Sequence, residues 1–292
     1  MLEVRERLLH LHHCRGIGWK SIFYLLKKDP HLKSLYSISF AEWKQILSIT
    51  VNQLNSFYHD LHTLDISKLL GQYGRSHIDI TTFFDAEYPD LLKEIYNPPW
   101  VLYSKGDRKI MKEQSLLGIV GSRKPTAYGL AAIKEILPAL IKENIVVVSG
   151  LASGIDATAH KLTLEHSGKT IAVLGGGLFH LYPKEELPLA SKLIDRGLLI
   201  SEMPPNRRPE PWMFPMRNRV ISGLSKGVLI VEAEEKSGSL ITAQCAIEQN
   251  REVFALPGNI TSRLSKGTNS LIQEGAKPVL SAQDIISEMN FI

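Results

Sequence analysis

The spacing of hydrophobic positions changes along the chain. In the first 75 residues, apolar side chains recur every three or four positions, as expected for amphipathic helices. The tight turn 15–18 separates two such stretches and predicts a helical hairpin, and further helical stretches follow near 40–47 and 51–61. The pattern therefore predicts an all-helical domain over residues 1–75. The apolar positions of the hairpin are Leu8, Leu9, Leu11, Ile22, Leu25 and Leu26.

Residues 76–110 predict a connector that packs on the following domain. The adjacent Pro98 and Pro99 exclude a helix at that point, because proline removes a backbone donor and its ring clashes with the preceding turn. The Trp-Val-Leu-Tyr run at 100–103 favours a short strand. We therefore separate this segment from both neighbouring domains.

From about residue 115, short apolar runs alternate with helical segments. Such alternation is typical of a parallel sheet with helices on both faces. The sequence therefore predicts an α/β domain over 111–292 with a doubly wound, mostly parallel sheet. The predicted strands are 116–120, 145–149, 170–174, 198–201, 228–232 and 252–256, and the predicted helices are 128–142, 154–166, 184–196, 216–224 and 238–249.

The composition is that of an ordinary globular protein. Hydrophobic residues make up 44% of the chain and charged residues 22%, which excludes disordered and fibrous classes. Cys14 and Cys245 lie far apart and form neither a disulfide framework nor a metal-binding pair. The N-terminal residues lack the layout of a signal peptide, and the longest apolar runs are far below the roughly 20 residues of a membrane span. We therefore expect a cytoplasmic protein without membrane insertion.

The basic residues are unevenly distributed. The formal charge is +4, from 34 Lys and Arg against 30 Asp and Glu, and residues 206–226 alone hold five bases against the single acid Glu210. Arginine's planar fork suits phosphate oxygens, and several arginines along a surface match a phosphate backbone. An ordinary solvated loop with surface ion pairs is the alternative. The five bases are Arg207, Arg208, Arg217, Arg219 and Lys226.

Small residues follow the first three predicted strands. Ligands of such sheets bind beyond the carboxyl ends of the strands, where backbone N–H groups of small residues can approach an anion closely. We therefore expect phosphate as the ligand class, although no stretch fits the P-loop or the G-x-G-x-x-G pattern. Tight turns that only permit helix-on-sheet packing are the alternative. The stretches run from Gly118 to Gly129, from Ser149 to Asp156 and from Gly175 to Gly177.

Aromatic side chains precede two bases of this domain. Rings in such positions can stack on the bases of a single strand. Core packing is the alternative, above all for Phe214, which opens an apolar helix. The groups are Phe179 and Tyr182 before Lys184, and Trp212 and Phe214 before Arg217.

The acidic residues do not form a recognisable catalytic or metal site. Asp156 and His160 are four residues apart on one predicted helix, but no nucleophile with its own base accompanies them. We interpret Asp156 as stabilising the helix dipole. Glu232, Glu234 and Glu235 end a strand without a histidine at ligand spacing, so we expect them to bound the basic surface electrostatically. We expect no catalytic residue, no metal and no cofactor.

Motifs in a fixed order cover most of the chain. They are Tyr88-Pro89, Pro98-Pro99, Leu102-Tyr103, Val120-Gly-Ser-Arg123, Val148-Ser-Gly-Leu-Ala152, Gly154-Ile-Asp156, Ala159-His160, Tyr182-Pro-Lys184, Phe214-Pro-Met-Arg-Asn-Arg219, Ile221-Ser-Gly-Leu-Ser225, Ser237-Gly-Ser-Leu240 and Leu256-Pro-Gly258. In number and order they resemble the DNA-processing protein A family, also called Smf, which acts in bacterial natural transformation.

The resemblance implies an extended Rossmann-like domain that binds single-stranded DNA, forms a homodimer and loads the RecA recombinase onto strands coated by single-strand-binding protein, without turnover. The helical N-terminal domain is similar to a sterile-alpha-motif or helix-hairpin-helix module, whose 16–18 turn can contact a phosphate. The family's phosphate contacts correspond to Arg123 and Lys184, with Arg217 and Arg219 beside them. The DNA-binding residues expected on this basis are Gly121, Ser122, Arg123, Ser149, Gly150, Gly154, Lys184, Arg217, Asn218 and Arg219.

Two other functions stay open at this point. A nucleotide-metabolising enzyme resembling the lysine-decarboxylase-like phosphoribohydrolases would have a related fold. The glutamate that ends the Pro-Gly-Gly-x-Gly-Thr-x-x-Glu segment of those enzymes has no counterpart in the 237–244 stretch. A scaffold that binds only proteins is the third possibility, and it would be unaffected by reversing the charges of Arg123 and Lys184.

Overall fold

The computed structural model describes residues 2–291, which divide into two compact units. Unit 1 ends at Asp85 and also includes Pro99–Leu102, while unit 2 comprises Ala86–Pro98 and the chain from Tyr103 onward. Within unit 1, the backbone N–H of Phe83 donates a hydrogen bond of 3.0 Å to the carbonyl of Trp100. The segment 76–110, expected as a single connector, is therefore shared between the two units.

Unit 1 is mainly helical, as predicted. Its elements are α1 (Leu2–His13), α2 (Trp19–Lys28), α3 (Phe40–Ile46), α4 (Val51–Thr63), α5 (Ile66–Arg75) and the strand β1 (Asp79–Thr82). Capping boxes led by Ser39 and Thr50 begin α3 and α4 and satisfy backbone N–H groups that a helix start leaves unpaired. The prediction omitted α5, whose buried residue is Tyr73.

The 15–18 turn is held against α4. Asp60 accepts hydrogen bonds of 2.8 Å from both Nε and Nη2 of Arg15 and one of 2.9 Å from the backbone N–H of the same residue. Gly16 has a φ of 81°, and a Cβ there would lie 2.8 Å from the carbonyl carbon of Gln53. Glycine suits this position because the conformation is left-handed and the backbone of α4 approaches closely.

Unit 2 contains the alternating strands and helices. Its elements are α6 (Asp90–Lys93), β2 (Val101–Gly106), β3 (Leu116–Val120), α7 (Ala127–Lys142), β4 (Val146–Gly150), α8 (Ile155–Glu165), β5 (Thr170–Leu174), α9 (Leu187–Arg196), β6 (Leu198–Ser201), α10 (Met213–Leu224), β7 (Gly227–Ile230), α11 (Gly238–Glu248), β8 (Glu252–Ala255), α12 (Lys266–Gln273), β9 (Lys277–Pro278) and α13 (Ala282–Phe291). The first two residues of β2 belong to unit 1, and the strand continues in unit 2 from Tyr103. The predicted helix 184–196 is a 3-10 turn, Lys184–Glu186, followed by α9, whose first turn contains Pro188, a position at which the missing N–H costs no intrahelical hydrogen bond.

The strands of this unit lie in the order β2-β6-β5-β4-β3-β7-β8-β9. Neighbouring strands are parallel except for β2, which is antiparallel to β6. The predicted α/β fold with a mostly parallel, doubly wound sheet is therefore confirmed. Ile119, Leu137, Val147 and Ile155 belong to the buried core that joins the sheet to α7 and α8.

The strand order creates a crevice beside β3. From β3 the chain moves to β4, β5 and β6 on one side, and it then crosses to β7, β8 and β9 on the other side. The loops that leave the adjacent strands β3 and β7 therefore diverge. Ligands of open parallel sheets bind at such a point, beyond the carboxyl ends of the strands.

Candidate functional site

A cavity of about 760 Å³ lies at the carboxyl edge of the sheet, beside the divergence of β3 and β7. Its walls come from the loop after β3, the start of α8, the first turns of α10 and the segment that leads from β7 into α11. A smaller cavity of about 220 Å³ adjoins it at the end of β5. Both cavities are lined by Arg123, Ala152, Tyr182, Phe214 and Arg217.

The loops after β3 and β4 pack tightly against each other. The backbone N–H of Ile155 donates a hydrogen bond of 3.1 Å to the carbonyl of Ser122. A Cβ at Gly121 would lie 2.8 Å from the side chain of Ile155, and one at Gly154, whose φ is 87°, would lie 2.7 Å from the carbonyl of Arg123. These two glycines therefore permit the close approach that places Arg123 on the cavity wall.

Arg123 is an exposed base on the wall of both cavities. Burial raises the pKa of Asp156 and lowers that of Arg217, and the positive charge of Arg123 opposes the first shift and adds to the second. The next residue, Lys124, is exposed too but is not part of either cavity lining. The chain therefore offers two adjacent bases, of which one faces the crevice.

Glu232 caps α7 instead of bounding the basic surface. It is 2% exposed, and its carboxylate accepts hydrogen bonds of 2.8 Å from the backbone N–H and 2.5 Å from the hydroxyl of Thr126. A carboxylate at this position interacts favourably with the positive end of the helix dipole. The expected surface role is therefore wrong for Glu232, whereas Glu234 and Glu235 are exposed.

Arg217 forms the floor of the cavity. Its side chain is buried, and Nη1 donates a hydrogen bond to the carbonyl of Val173 at the end of β5. Within the described residues Nε has no hydrogen-bond partner. Burial lowers the pKa of the guanidinium, while the nearby Asp156 raises it. A cation that is held by few internal partners creates a positive potential that an anion in the cavity can satisfy.

Asp156 lies buried in the first turn of α8, beside this floor. Burial raises its pKa to about 6, against the opposing effects of the Arg217 charge and of the backbone N–H of Ala152. The carboxyl group therefore changes its charge near neutral pH, and that change alters the electrostatic potential of the cavity.

His160, one turn further along α8, is fully buried. Nε2 lies 2.7 Å from the carbonyl of Gly150, and Nδ1 lies 2.6 Å from the hydroxyl of Thr170. Burial lowers the pKa of the imidazole to about 4, so the ring is neutral at pH 7 and these partners define a tautomer that donates from Nε2. His160 therefore holds the end of β4 in place from behind the cavity.

Two more of the expected DNA-binding residues form internal hydrogen bonds. Ser149 is fully buried, and its hydroxyl donates a hydrogen bond of 2.5 Å to the carbonyl of Ile119. Asn218 lines the larger cavity, but its side-chain amide donates a hydrogen bond of 3.1 Å to the carbonyl of Gly238. Ser149 and Asn218 thus join β4 to β3 and α10 to α11.

Arg219 points away from the cavity lining. Its guanidinium forms an ion pair with Glu202, and the two side chains are only 10% and 12% exposed. Each residue of an α-helix is rotated by about 100° from the one before it, so two residues that are two positions apart point to nearly opposite sides of the helix. Arg217 and Arg219, which are close in sequence, therefore contact different parts of unit 2.

The Tyr-Pro-Lys segment lies at the rim of the smaller cavity. Lys184 is exposed, and its neighbours Pro183 and Glu185 line that cavity. The exposed ring of Tyr182 lies 5.8 Å from the ring of Phe214, centroid to centroid. Phe214, for which core packing and base stacking were the alternatives, is half-buried and forms part of both cavity walls.

Gly176 and Gly177 are covered by the proline-rich segment 204–211, whereas Gly175 lines the smaller cavity beside Phe214. A Cβ at Gly175 would lie 2.8 Å from the ring of Phe214, and one at Gly176 would lie 2.9 Å from the nitrogen of Pro209. The N–H of Gly177 donates a hydrogen bond of 2.8 Å to the carbonyl of Arg207. The packing alternative therefore describes Gly176 and Gly177, because the covering segment occupies the space that a phosphate would need there.

The basic stretch 206–226 is not gathered on one surface. Arg207 forms an ion pair of 2.5 Å with Glu210. Lys226 precedes β7 and therefore lies at the amino edge of the sheet, opposite the cavity. Of the five bases in this stretch, Arg217 belongs to the cavity linings.

The sequence pattern missed the wall that precedes α11. Lys236, Ser237, Gly238 and Ser239 line the larger cavity, and Lys236 is exposed. A Cβ at Gly238 would have no atom within 4 Å, so the start of this helix is open to a ligand. These residues follow a predicted strand, and that position is a signal for a loop that contacts a ligand. The sequence did not show that β7 lies beside β3, so it did not place this loop at the same cavity as the loop after β3.

Within residues 2–291, no group of histidine, cysteine and acidic side chains could hold a metal ion. In the same range, no helix combines the length and the apolar character that crossing a membrane requires.

Comparison with known proteins gives a consistent result. The model of the family described as DNA recombination-mediator protein A matches residues 79–290. DNA processing protein DprA of Bacillus subtilis (strain 168) is 44% identical over 238 residues, which cover 82% of this chain and 78% of the relative. Protein Smf of Escherichia coli (strain K12) is 43% identical over 209 residues, which cover 71% of this chain and 56% of the relative.

Two solved structures are similar over large parts of the chain. DNA processing protein A from Streptococcus pneumoniae has a TM-score of 0.84 and 34% identity, with 99% of this chain and 98% of that chain covered. DNA processing protein A from Helicobacter pylori, a structure described for its single-stranded DNA binding mode, has a TM-score of 0.66 and 30% identity, with 73% of this chain and 97% of that chain covered.

Proposed function

The chain belongs to the DNA recombination-mediator protein A family, and from this premise we propose that it binds single-stranded DNA in the cavity beside β3 and β7 and loads the RecA recombinase onto it during natural transformation. It acts in the cytoplasm as a homodimer, on strands coated by single-strand-binding protein, and it performs no turnover. The observation that carries the proposal is the exposed Arg123 on the wall and the buried Arg217 on the floor of the same cavity.

The residues around the cavity suit a phosphate backbone that carries unpaired bases. The guanidinium of Arg123 can reach phosphate oxygens from solvent, and the charge of Arg217 adds a positive potential from below. The open start of α11 supplies backbone N–H groups at the positive end of a helix dipole. The half-buried ring of Phe214 and the exposed ring of Tyr182 offer faces on which bases of any sequence can stack.

Fluorescence anisotropy with a labelled oligothymidine tests the DNA-binding part. Arg123→Glu is expected to weaken binding at least tenfold, by about 1.4 kcal/mol or more, because a carboxylate would repel the phosphates. Lys124→Glu is the matched control, since it makes the same change of charge one residue outside the cavity lining. Binding should also fall with salt, by roughly 0.7 log unit per log unit of salt for each phosphate neutralised. Equal losses from both substitutions would contradict the cavity as the site.

RecA loading and the absence of turnover need separate assays. Stoichiometric addition of the protein is expected to accelerate RecA filament growth on DNA coated by single-strand-binding protein, and Arg123→Glu is expected to abolish that effect. Incubation with nucleoside monophosphates is expected to release no ribose 5-phosphate. Release of the sugar phosphate would favour the phosphoribohydrolase alternative, in which the buried Asp156, with its raised pKa, is the candidate acid or base.

A further inference from the structure

One face of α2 in unit 1 carries exposed aromatic rings among lysines. The exposed residues recur at positions i, i+3, i+4, i+7 and i+8, so they form a single stripe along the helix. The opposite side of α2 buries Ile22 and Leu25. The exposed stripe, named here the α2 face, consists of Lys20, Phe23, Tyr24, Lys27 and Lys28.

Phe23 is the outer ring of an aromatic stack. Its centroid lies 5.2 Å from that of Trp19 at an interplanar angle of 11°, and Trp19 lies 5.4 Å from Trp100 at 19°. The Nε1 of Trp100 donates a hydrogen bond of 3.2 Å to the carbonyl of Trp19, which links the inner two rings. Trp100 is buried, whereas Phe23 is 48% exposed. The stack therefore ends at an exposed ring onto which another planar group can be added.

The charges of the α2 face indicate what that planar group belongs to. The helix contains three lysines and no acidic residue. The ammonium group of Lys28 lies 4.9 Å from the ring centroid of Tyr24, so this charge is already placed over an aromatic face. Asp29, which follows the helix, accepts hydrogen bonds from the hydroxyl and the N–H of Ser34. A ligand that supplies both flat rings and negative charge complements this surface.

We propose that the α2 face is a second binding site for single-stranded DNA. An unpaired base extends the stack on Phe23, and the neighbouring phosphates are neutralised by Lys20 and Lys27. Duplex DNA is a poor ligand there, because its bases are already stacked and paired. The site uses residues of unit 1 alone and does not depend on the cavity of unit 2, so it survives a failure of the proposed function.

The test uses the full chain with Arg123→Glu, so that binding by the cavity is suppressed. This protein is expected to retain weak, salt-sensitive binding of oligothymidine in an anisotropy titration at low salt. Adding Phe23→Ala is expected to weaken that residual binding about fivefold or more, while Phe23→Trp is expected to retain it, because indole offers an equal or larger stacking face. An abasic oligonucleotide of the same length is expected to bind equally to the proteins with and without Phe23→Ala.

Charge reversal separates the α2 face from general attraction to the protein. Lys20→Glu/Lys27→Glu is expected to abolish the residual binding. Lys44→Glu/Lys68→Glu, a matched change at exposed positions of α3 and α5, is expected to reduce it by less than twofold. Thermal unfolding of each variant establishes that unit 1 stays folded. For Phe23, Phe23→Leu serves as a second variant that keeps the apolar volume without an aromatic face and is expected to bind as weakly as Phe23→Ala.

Several outcomes would overturn the inference. One is an absence of residual binding in the Arg123→Glu protein. Another is that Phe23→Ala weakens binding of the abasic oligonucleotide as much as it weakens binding of oligothymidine. A third is that Phe23→Leu binds oligothymidine as tightly as the protein that keeps Phe23. Tighter binding of oligouridine than of oligothymidine would overturn the choice of DNA as the ligand. Competition by polyglutamate at concentrations at which duplex DNA does not compete would assign the α2 face to an acidic protein partner instead.

Discussion

The guanidinium of Arg217 occupies the space that a side chain at position 150 would need. A Cβ added to Gly150 would lie 2.5 Å from Nη2 of Arg217, and it would be equally close to Oδ2 of Asp156. The position of the Arg217 charge on the cavity floor therefore depends on a residue without a side chain, Gly150, at the end of β4. Gly150 does not have a left-handed backbone conformation. Glycine is needed at this position because it leaves room for the guanidinium of Arg217.

Gly150→Ala is expected to displace Arg217 and to lower the free energy of unfolding by about 1–3 kcal/mol, as overpacking of a buried site does. The same substitution should weaken binding of oligothymidine, because the floor charge moves. Denaturant unfolding and anisotropy measure the two effects. Gly238→Ala is the control for the unfolding measurement alone, since an added Cβ there meets nothing within 4 Å and should not destabilise the protein. A Gly150→Ala protein with unchanged stability and binding would refute this account of the floor.

Arg219→Met is expected to lower the free energy of unfolding by about 3–5 kcal/mol, because it leaves Glu202 buried without its partner. The double variant Glu202→Leu/Arg219→Met should recover most of that loss, since two apolar side chains replace the pair. Chemical denaturation of the two single variants and the double variant completes the cycle. If the stable double variant also binds oligothymidine like the unsubstituted protein, then Arg219 supports the fold and the sequence-based prediction that it contacts DNA is wrong.

Glu232→Ala is expected to destabilise unit 2 by about 1–2 kcal/mol, through loss of the cap at the start of α7. Glu232→Gln should cost less, because its amide oxygen can still accept from the N–H of Thr126. The order of melting temperatures should therefore be unsubstituted protein, then Gln, then Ala. A Gln variant as unstable as the Ala variant would show that the negative charge, and not the acceptor, provides the stabilisation.

DNA binding is expected to strengthen as the pH falls from about 7.5 to about 5.5, because Asp156 has a pKa of about 6 and loses its negative charge in this interval. Its folded-state pKa is raised, so its contribution to stability is full at acid pH and is lost as the pH rises through about 6. Fluorescence anisotropy at constant ionic strength measures the pH dependence of DNA binding. Asp156→Asn should bind tightly and with a smaller pH dependence. An unchanged pH profile in that variant would assign the titration to another group.

The contribution of His160 to stability depends on pH in the opposite direction from that of Asp156. Its folded pKa, about 4, lies below the ordinary 6.5, so the stability that its neutral form contributes is lost as the pH falls from about 6.5 toward 4. The two groups partly offset each other in unit 2. Removing the compensation by Asp156→Asn is therefore expected to steepen the loss of stability between about pH 6.5 and about pH 5. Thermal unfolding over this range measures it, and an identical slope in both proteins would contradict the compensation.

The local hydrophobic pattern was sufficient to predict β3 to β8 and α7 to α11 of unit 2, but it did not predict α6, α12 or β9. Strands such as β3 and β5 are buried on both faces, so they read as continuous apolar runs whatever their neighbours are. The short strand β1 lacks such a signal. The prediction also omitted α5, although Ile66, Leu69, Leu70 and Tyr73 recur there at helix spacing. The place of Arg123 followed from the same logic, because a residue directly after a parallel strand lies at the ligand-binding edge.

By itself, then, the sequence determined the α/β fold, the helical N-terminal region and the family. It also predicted the edge of the sheet at which we expect a ligand to bind. Only the tertiary structure decided which side chains meet there. The adjacency of β3 and β7 brings Lys236 to the cavity, and the rotation of α10 places Arg217 on the floor while it buries Arg219 against Glu202. Strand order and helix rotation depend on contacts between residues far apart in the chain, and no local spacing of hydrophobic or charged positions encodes those contacts.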